Sequence, residues 1–321
     1  MQTITRRQIR LIVNPNAGRG ARRRARINRF REALRREGCE VELTPTLGPR
    51  DAARLAGEAA ARGGAEIVVA GGDGTVNEAL QGVVGTDARL GVFPAGTANV
   101  LARELSLPFD PGRAAALVAR GETRKLYAGC ATDGRMGEPR YFLLMAGVGL
   151  DASVVEGVRP RLKRRLGEGA FWLSGLSHLA SWVPVPFEVR AAGETLPATF
   201  AAVGKGARYG GNLSVTPRAR LDAPEFEVCV VNSASRLRFL RLLGSVMRGG
   251  VGSETPGVRF VRATRVEVAR PAGAGEDALV QADGEIIGRL PMTFEIVQTP
   301  VEVFVPPADG DLRTDGYYRP K

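Results

Sequence analysis

Ala65-Glu66-Ile67-Val68-Val69-Ala70-Gly71-Gly72-Asp73-Gly74-Thr75-Val76-Asn77-Glu78-Ala79-Leu80 is the stretch from which the fold can be read. Ile67 to Ala70 has the length and β-branched content of a buried strand, and the residues after Thr75 fall into helical spacing. Between them Gly71, Gly72 and Gly74 make a turn in which main-chain N–H groups can approach an anion closely. The helix that follows aims its N-terminal amides and positive dipole end at the same place.

The same unit repeats on either side. Gln8 to Val13 reads as a strand ending in Asn14-Pro15-Asn16-Ala17-Gly18-Arg19-Gly20, followed by an Arg-rich helix with Ile27, Phe30 and Leu34 at helical spacing. Gly38 closes that helix, CEVELTPT resumes as a strand, and an Ala-rich helix fits Pro49 to Arg62. A fourth unit runs RLGVF, the turn PAGTAN with Gly96, Thr97 and Asn99, then the helix VLARELSLP. Strands alternating with helices predict an α/β domain over residues 1–125, mostly parallel and three-layered, with its site at the strand C-terminal ends. From about Leu126 the texture becomes strand-rich: YFLLMAGVGLDA, FEVRAAG, ATFAAVG, FEVCVVNS, RVEVAR, ALVQADGE and MTFEIV. Residues 126–297 are therefore expected to form a second, β-rich domain, antiparallel and sandwich-like, interrupted by helices near 162–182 and 235–248. The tail, about 298–321, is a candidate to pack back on the first domain.

A chain of 321 residues accommodates about two domains. Its 44% hydrophobic and 25% charged residues exclude a disordered or fibrous protein. The balance of 45 basic and 34 acidic residues leaves +11, so nucleic acid, a membrane surface or a polyphosphate are all admissible partners. Cys39, Cys130 and Cys229 lie too far apart for a CxxC site or a disulfide framework. The single histidine, His178, excludes a His-cluster zinc site and argues against a Ser-His-Asp hydrolase. Acid–base chemistry falls to carboxylates, Lys or Tyr. No stretch reaches the roughly 20 apolar residues of a membrane span, and the start lacks the apolar core of a signal peptide. The expectation is a cytoplasmic protein.

Asp73 is out of place in a pure phosphate cradle, where a carboxylate repels the ligand. It makes sense as a Mg²⁺ ligand or as the acceptor of a proton from an attacking hydroxyl; the plainer reading has Asp73 and Thr75 capping the helix. None of the three turns matches GxxxxGK[ST] or GxGxxG, which disfavours Walker-type and NAD-binding proteins. Three such turns on one sheet edge favour a phosphate site, with Arg19 available to the anion. In the second domain, Ala282-Asp283-Gly284-Glu285 reads as a hairpin turn. In the functional alternative Glu285 or Asp283 faces the cleft between domains and deprotonates a hydroxyl.

Those segments together resemble the diacylglycerol kinase catalytic-domain superfamily in its bacterial lipid kinase branch, related to sphingosine kinases. The likeness rests on LIVNPNAGRG, GGDGTVNEAL, FPAGTANVLARELSLP, AGVGLDASVV, YGGNLSVTPRA and QADGE, in the family's order. It implies an ATP-dependent kinase with the nucleotide in the interdomain cleft. Carried onto this chain, Asn14, Pro15, Asn16, Ala17 and Gly18, then Gly71 to Thr75 and Thr97, would contact ATP. Asn77 and Glu78 complete the glycine-turn motif, and Thr46 matches a threonine the family places ahead of its next helix. Glu285 matches the general base and Asp73 the essential carboxylate. The family's Asp-Asp-Gly-like turn is altered here to Leu221-Asp222-Ala223-Pro224-Glu225. Asp222 thus remains only a candidate for a structural cation, whereas Mg²⁺ accompanying ATP is expected.

The implied reaction moves the γ-phosphate of ATP to the hydroxyl of diacylglycerol or a related lipid; a NAD kinase-like enzyme and a non-catalytic regulator are the alternatives. Arg159 to Leu166, with Phe171, Trp172, Leu173 and Trp182 following, suits peripheral contact with an anionic inner membrane face, or else a core-packed helix with a solvated basic end. Arg22, Arg23 and Arg24 read as a solvated helix face rather than a nucleic-acid stripe. A homo-oligomer is left open.

Overall fold

Four strand–helix units build the first sheet. In the computed structural model, residues 7–15, 20–134, 137–150, 152, 183–208, 214–247, 255, 257–270 and 278–307 are described. The units comprise β1 (Gln8–Val13), α1 (Ala21–Arg36), β2 (Glu40–Pro45), α2 (Asp51–Ala60), β3 (Glu66–Gly71), α3 (Asp73–Val83) and β4 (Arg89–Pro94), closed by the short α4 (Val100–Glu104). Then come α5 (Pro111–Arg120) and β5 (Thr123–Leu126). The parallel order β2-β1-β3-β4 is continued by β18 (Val301–Phe304), parallel to β4, and then by antiparallel β5. Crossing from β1 to β2 and back over to β3 puts α1 and α2 on opposite faces, because such crossovers are right-handed. α1 packs with α5, and α2 with α3, giving three layers. Leu11, Ile12, Val68, Val69, Leu90 and Phe93 are wholly buried within them, and Phe30 of α1 stacks on Phe93 at 4.3 Å.

The remaining strands form two antiparallel sheets. One has the order β10 (Glu194–Ala198), β9 (Phe187–Ala191), β14 (Arg265–Ala269), β17 (Met292–Ile296), β6 (Gly129–Asp133), β7 (Arg140–Phe142). The other runs β13 (Val258–Ala263), β12 (Phe226–Val231), β11 (Phe200–Gly204), β8 (Met145–Gly149), β15 (Leu279–Ala282), β16 (Glu285–Arg289). Their inner faces share one core, in which Phe142 stacks on Phe226 at 5.9 Å and meets Phe294 edge-on at 6.2 Å. The helix α6 (Arg236–Met247) lies outside this core, burying Phe239 and Leu242 beside Cys229 and Ala202.

The run YFLLMAGVGLDA, expected as one strand, is two. β7 and β8 belong to different sheets, and the chain between them is held by a carboxylate described below rather than by a ladder. The expected helix at 162–182, with His178, Trp172 and Trp182, lies outside the described residues, as do Arg159 to Leu166, Asn16 to Arg19 and 308–321. Among the described residues no helix is long and apolar enough to cross a membrane.

Candidate active site

The C-terminal edges of β1 to β4 bring the sequence-predicted turns together. Asn14 follows β1 and donates from Nδ2 to Thr75 Oγ1 at 3.2 Å, tying the first turn to the head of α3. Pro15 beside it is exposed. Thr46 follows β2, is buried, and donates its amide to Val13 O at 2.9 Å. The turns after β3 and β4 touch directly: a Cβ on Gly96 would lie 2.4 Å from Gly72 Cα. Only glycine at position 96 permits that approach, and at Gly72 a Cβ would be tight, 3.2 Å from Gly96 Cα. Asn99, in the left-handed region at φ 47°, closes the β4 turn on itself. Its Oδ1 accepts from Gly96 N at 2.8 Å and its Nδ2 donates to Gly96 O at 2.9 Å, leaving Thr97 exposed at the tip.

The helix α3 starts at Asp73 with Gly72 as its N-cap, and no side chain caps it. The carboxylate of Asp73 reaches across instead, its Oδ1 accepting from Leu101 N at 3.3 Å in the first turn of α4. Burial raises the Asp73 carboxyl above the ordinary carboxylate range, against the pull of the Leu101, Val100 and Asn99 amides. The cap position itself carries no side chain, and Asp73, besides a bond to its own amide, accepts from the first turn of α4. Glu78 is half-buried one turn further on.

From the other lobe comes the β15–β16 hairpin. Its turn residues Asp283 and Gly284 both have positive φ, 47° and 83°, the two-residue turn that suits strand twist. Asp283 is clamped. Its Oδ1 accepts from the Leu144 and Met145 amides at 2.9 Å each, and its Oδ2 from Leu143 N at 2.9 Å and Asn77 Nδ2 at 3.0 Å. Burial pushes its carboxyl up while these donors oppose the shift. Three of the donors are the amides of Leu143 and Leu144, between β7 and β8, and of Met145, which starts β8; the fourth belongs to α3 of the first lobe. Glu285 opens β16 two residues on. Its Oε1 would stand 3.7 Å from a Cβ on Gly74, so it faces the glycine turn across the lobes. Its Oε2 is paired with Arg140 Nη2, which also donates to Asn77 Oδ1 at 3.1 Å.

Two participants escape a reading of the sequence. Arg140, on a three-residue strand, has no local signature. Gln81 sits four residues beyond Asn77 on the same face of α3, a spacing that could have marked it. Its Nε2 donates to Tyr141 O and its Oε1 accepts from Tyr141 N, both at 2.9 Å, so α3 holds β7 through its backbone.

Asp222 lies elsewhere, in the loop 220–225. It accepts two bonds from Arg220, at 3.0 and 3.1 Å, and that guanidinium holds its carboxyl below the ordinary range. A cation does sit at this loop, and it belongs to the chain. The wholly buried Lys205 Nζ donates to the carbonyls of Arg220 (3.1 Å), Glu225 (3.2 Å) and Ala223, and lies 5.9 Å from the Tyr127 ring centroid. Among the described residues no group of three His, Cys, Asp or Glu could hold a metal ion.

Residues 8–131 match the family model of the diacylglycerol kinase catalytic domain, and residues 145–305 match the YegS C-terminal NAD kinase β sandwich-like domain. A diacylglycerol kinase of Mycobacterium tuberculosis is 32% identical over 303 residues, covering 93% of this chain and 95% of the relative. One of Bacillus subtilis is 29% identical over 314 residues, covering 96% and 100%. The crystal structure of a diacylglycerol kinase from Bacillus anthracis superimposes with a TM-score of 0.71 at 22% identity over 94% of this chain and 97% of the other. A second chain from that organism gives 0.77 at 25% identity over 94% and 96%.

Proposed function

Because the chain belongs to the family of the diacylglycerol kinase catalytic domain and is a lipid kinase, we propose that it transfers the γ-phosphate of ATP to the hydroxyl of diacylglycerol or a closely related lipid. The observation that carries this reading is Glu285 of the second lobe facing Gly74 in the glycine turn of the first. A nucleotide laid along the strand edge, on Asn14, Thr46, Gly71, Gly72, Gly74, Thr75, Gly96 and Thr97, would bring its terminal phosphate to that meeting point. The expected contributions of Asn16, Ala17, Gly18 and Arg19 belong to the same proposal.

Phosphoryl transfer of this kind needs positioning and charge neutralisation more than covalent help. Glu285 uses its free oxygen to orient the lipid hydroxyl and take its proton as the oxygen attacks the γ-phosphorus. Asp283, with four N–H groups on its two oxygens, has no open lone pair for that task; it acts as the clamp that places Glu285. Asp73 offers one half-buried carboxylate where the phosphates would lie. That donor set fits Mg²⁺, which takes one or two carboxylates and fills its shell from phosphate and water; bound with ATP, the ion would neutralise phosphate charge. A lipid acceptor requires contact with a bilayer surface, and the net charge of +11 suits an anionic one on the cytoplasmic side.

The test is transfer of label from γ-labelled ATP to mixed vesicles containing diacylglycerol, with NAD as the soluble control acceptor. Label is expected in the lipid. Glu285→Gln should lower kcat by roughly 10²–10⁴-fold, the usual worth of general-base assistance, with the KM for ATP within threefold. Label on NAD alone, or a Glu285→Gln enzyme that turns over normally, would overturn the reading.

A further inference from the structure

Among the described residues Arg140 is the cation in contact with the carboxylate to which proton abstraction has just been given, and we infer that it is a positioning residue for Glu285. The inference rests on that reading of Glu285. One nitrogen, Nη2, does two things at once: it pairs with Glu285 Oε2 and donates to Asn77 Oδ1 at 3.1 Å. Asn77 in turn donates to Asp283 at 3.0 Å and lies on α3, four residues from the Asp73 that starts it. A continuous chain, Asp283–Asn77–Arg140–Glu285, thus crosses from hairpin to first lobe and returns to the hairpin. Its effect is to hold one oxygen of Glu285 and turn the other, Oε1, toward Gly74.

The arrangement fixes more than direction. The Arg140 side chain keeps 25% of its exposure and that of Glu285 42%, so the pair is only partly desolvated and reachable by a substrate. A planar guanidinium bonded to that carboxylate fixes its rotamer as well as its direction. The other charged side chains on the elements around Glu285 are Asp73 and Glu78 on α3, Asp283 in the turn and Arg289 at the end of β16. Among the described residues Arg140 is the cation bonded to it, so its removal leaves Glu285 without the partner that holds it. The carboxylate then loses the bond that sets its rotamer.

Arg140→Met and Arg140→Lys would be measured beside wild type and Glu285→Gln, all as full-length chains, with ATP and diacylglycerol vesicles. Arg140→Met should lower kcat by about 10–100-fold and leave the KM for ATP within threefold. Arg140→Lys, which keeps the charge but not the planar fork, should restore part of the rate. In the Glu285→Gln background, Arg140→Met should add less than threefold, since its partner is already gone. An Arg140→Met enzyme with kcat within twofold of wild type overturns the inference, as does a loss that is just as large in the Glu285→Gln background. If Glu285→Gln is itself fully active, the base assignment fails first, and Arg140 falls with it.

Discussion

At the residue scale the glycines of the site do different jobs, and their variants separate folding from chemistry. Gly96 is where it is because the β3 and β4 turns touch: its Cβ would meet Gly72 Cα at 2.4 Å and Asn99 Oδ1 at 2.8 Å, and neither can yield cheaply. Gly96→Ala should therefore destabilise by about 1–3 kcal/mol, as overpacking does. Gly74 has room by comparison, its nearest neighbour being Glu285 Oε1 at 3.7 Å, an ordinary contact. Gly74→Ala should keep its Tm, helped by the better helix propensity of alanine. The methyl nevertheless enters the gap between turn and hairpin, and turnover should fall at least tenfold. Thermal melts and lipid-transfer rates measured on both variants check this; loss of Tm in Gly74→Ala together with its activity would contradict it. The sequence pointed to these glycines because their lack of a side chain is itself a signal. Arg140 was invisible to the same reading, since an arginine on a short strand has the local pattern of a solvated one.

Among the elements, α2 and α3 pack at unusual intimacy. A Cβ on Gly82 would stand 2.2 Å from Ala53 O and 2.6 Å from Gly57 N, both backbone. Across the same contact a Cβ on Gly57 would be 3.7 Å from Gly82 O. Gly82→Ala must push the two helices apart, and about 2–4 kcal/mol of lost stability is expected, near the upper range for overpacked sites. Gly57→Ala should be neutral or gain up to ~1 kcal/mol from propensity. Urea titrations of the pair decide it, and equal midpoints would remove the close crossing as a constraint. Because α3 also carries Asn77 and Gln81 to β7, Gly82→Ala should weaken the hold of one lobe on the other as well. The strand–turn–helix units of the first sheet were readable because apolar runs, glycine turns and helical spacing succeed one another locally. The break between β7 and β8 was not, because the carboxylate that causes it lies 138 to 140 residues away in sequence.

For the whole molecule the chain crosses between lobes at β5–β6 and returns at β17–β18, where Tyr127 N donates to Leu221 O and Val297 N to Ala128 O, each at 2.9 Å. Lys205 braces this junction, holding the 220–225 loop by three carbonyls while its own amide donates to Leu144 O at 2.8 Å, next to the Asp283 clamp. No sequence pattern marked it, since a lysine at the end of a strand reads as surface. Burial lowers its pKa to about 8, with Asp222 and Glu225 pulling the other way. In the unfolded chain a lysine titrates near ~10.4. Between those values the unfolded state binds more protons than the folded one, so this side chain makes stability rise with pH across the window, by at most about 1.4 kcal/mol per unit. Below the folded pKa the term is constant. Lys205→Met removes the titration and leaves three carbonyls of the 220–225 loop without their donor, which should cost about 1–3 kcal/mol. The gap in unfolding free energy between wild type and Lys205→Met should accordingly stay level from pH 6 to 7 and widen from about pH 8 toward 10. Denaturant titrations of both proteins at each pH measure it directly. A gap that narrows through that range would mean that the carbonyl cage favours the ammonium more than burial opposes it, and the junction would then be held tightest at neutral pH.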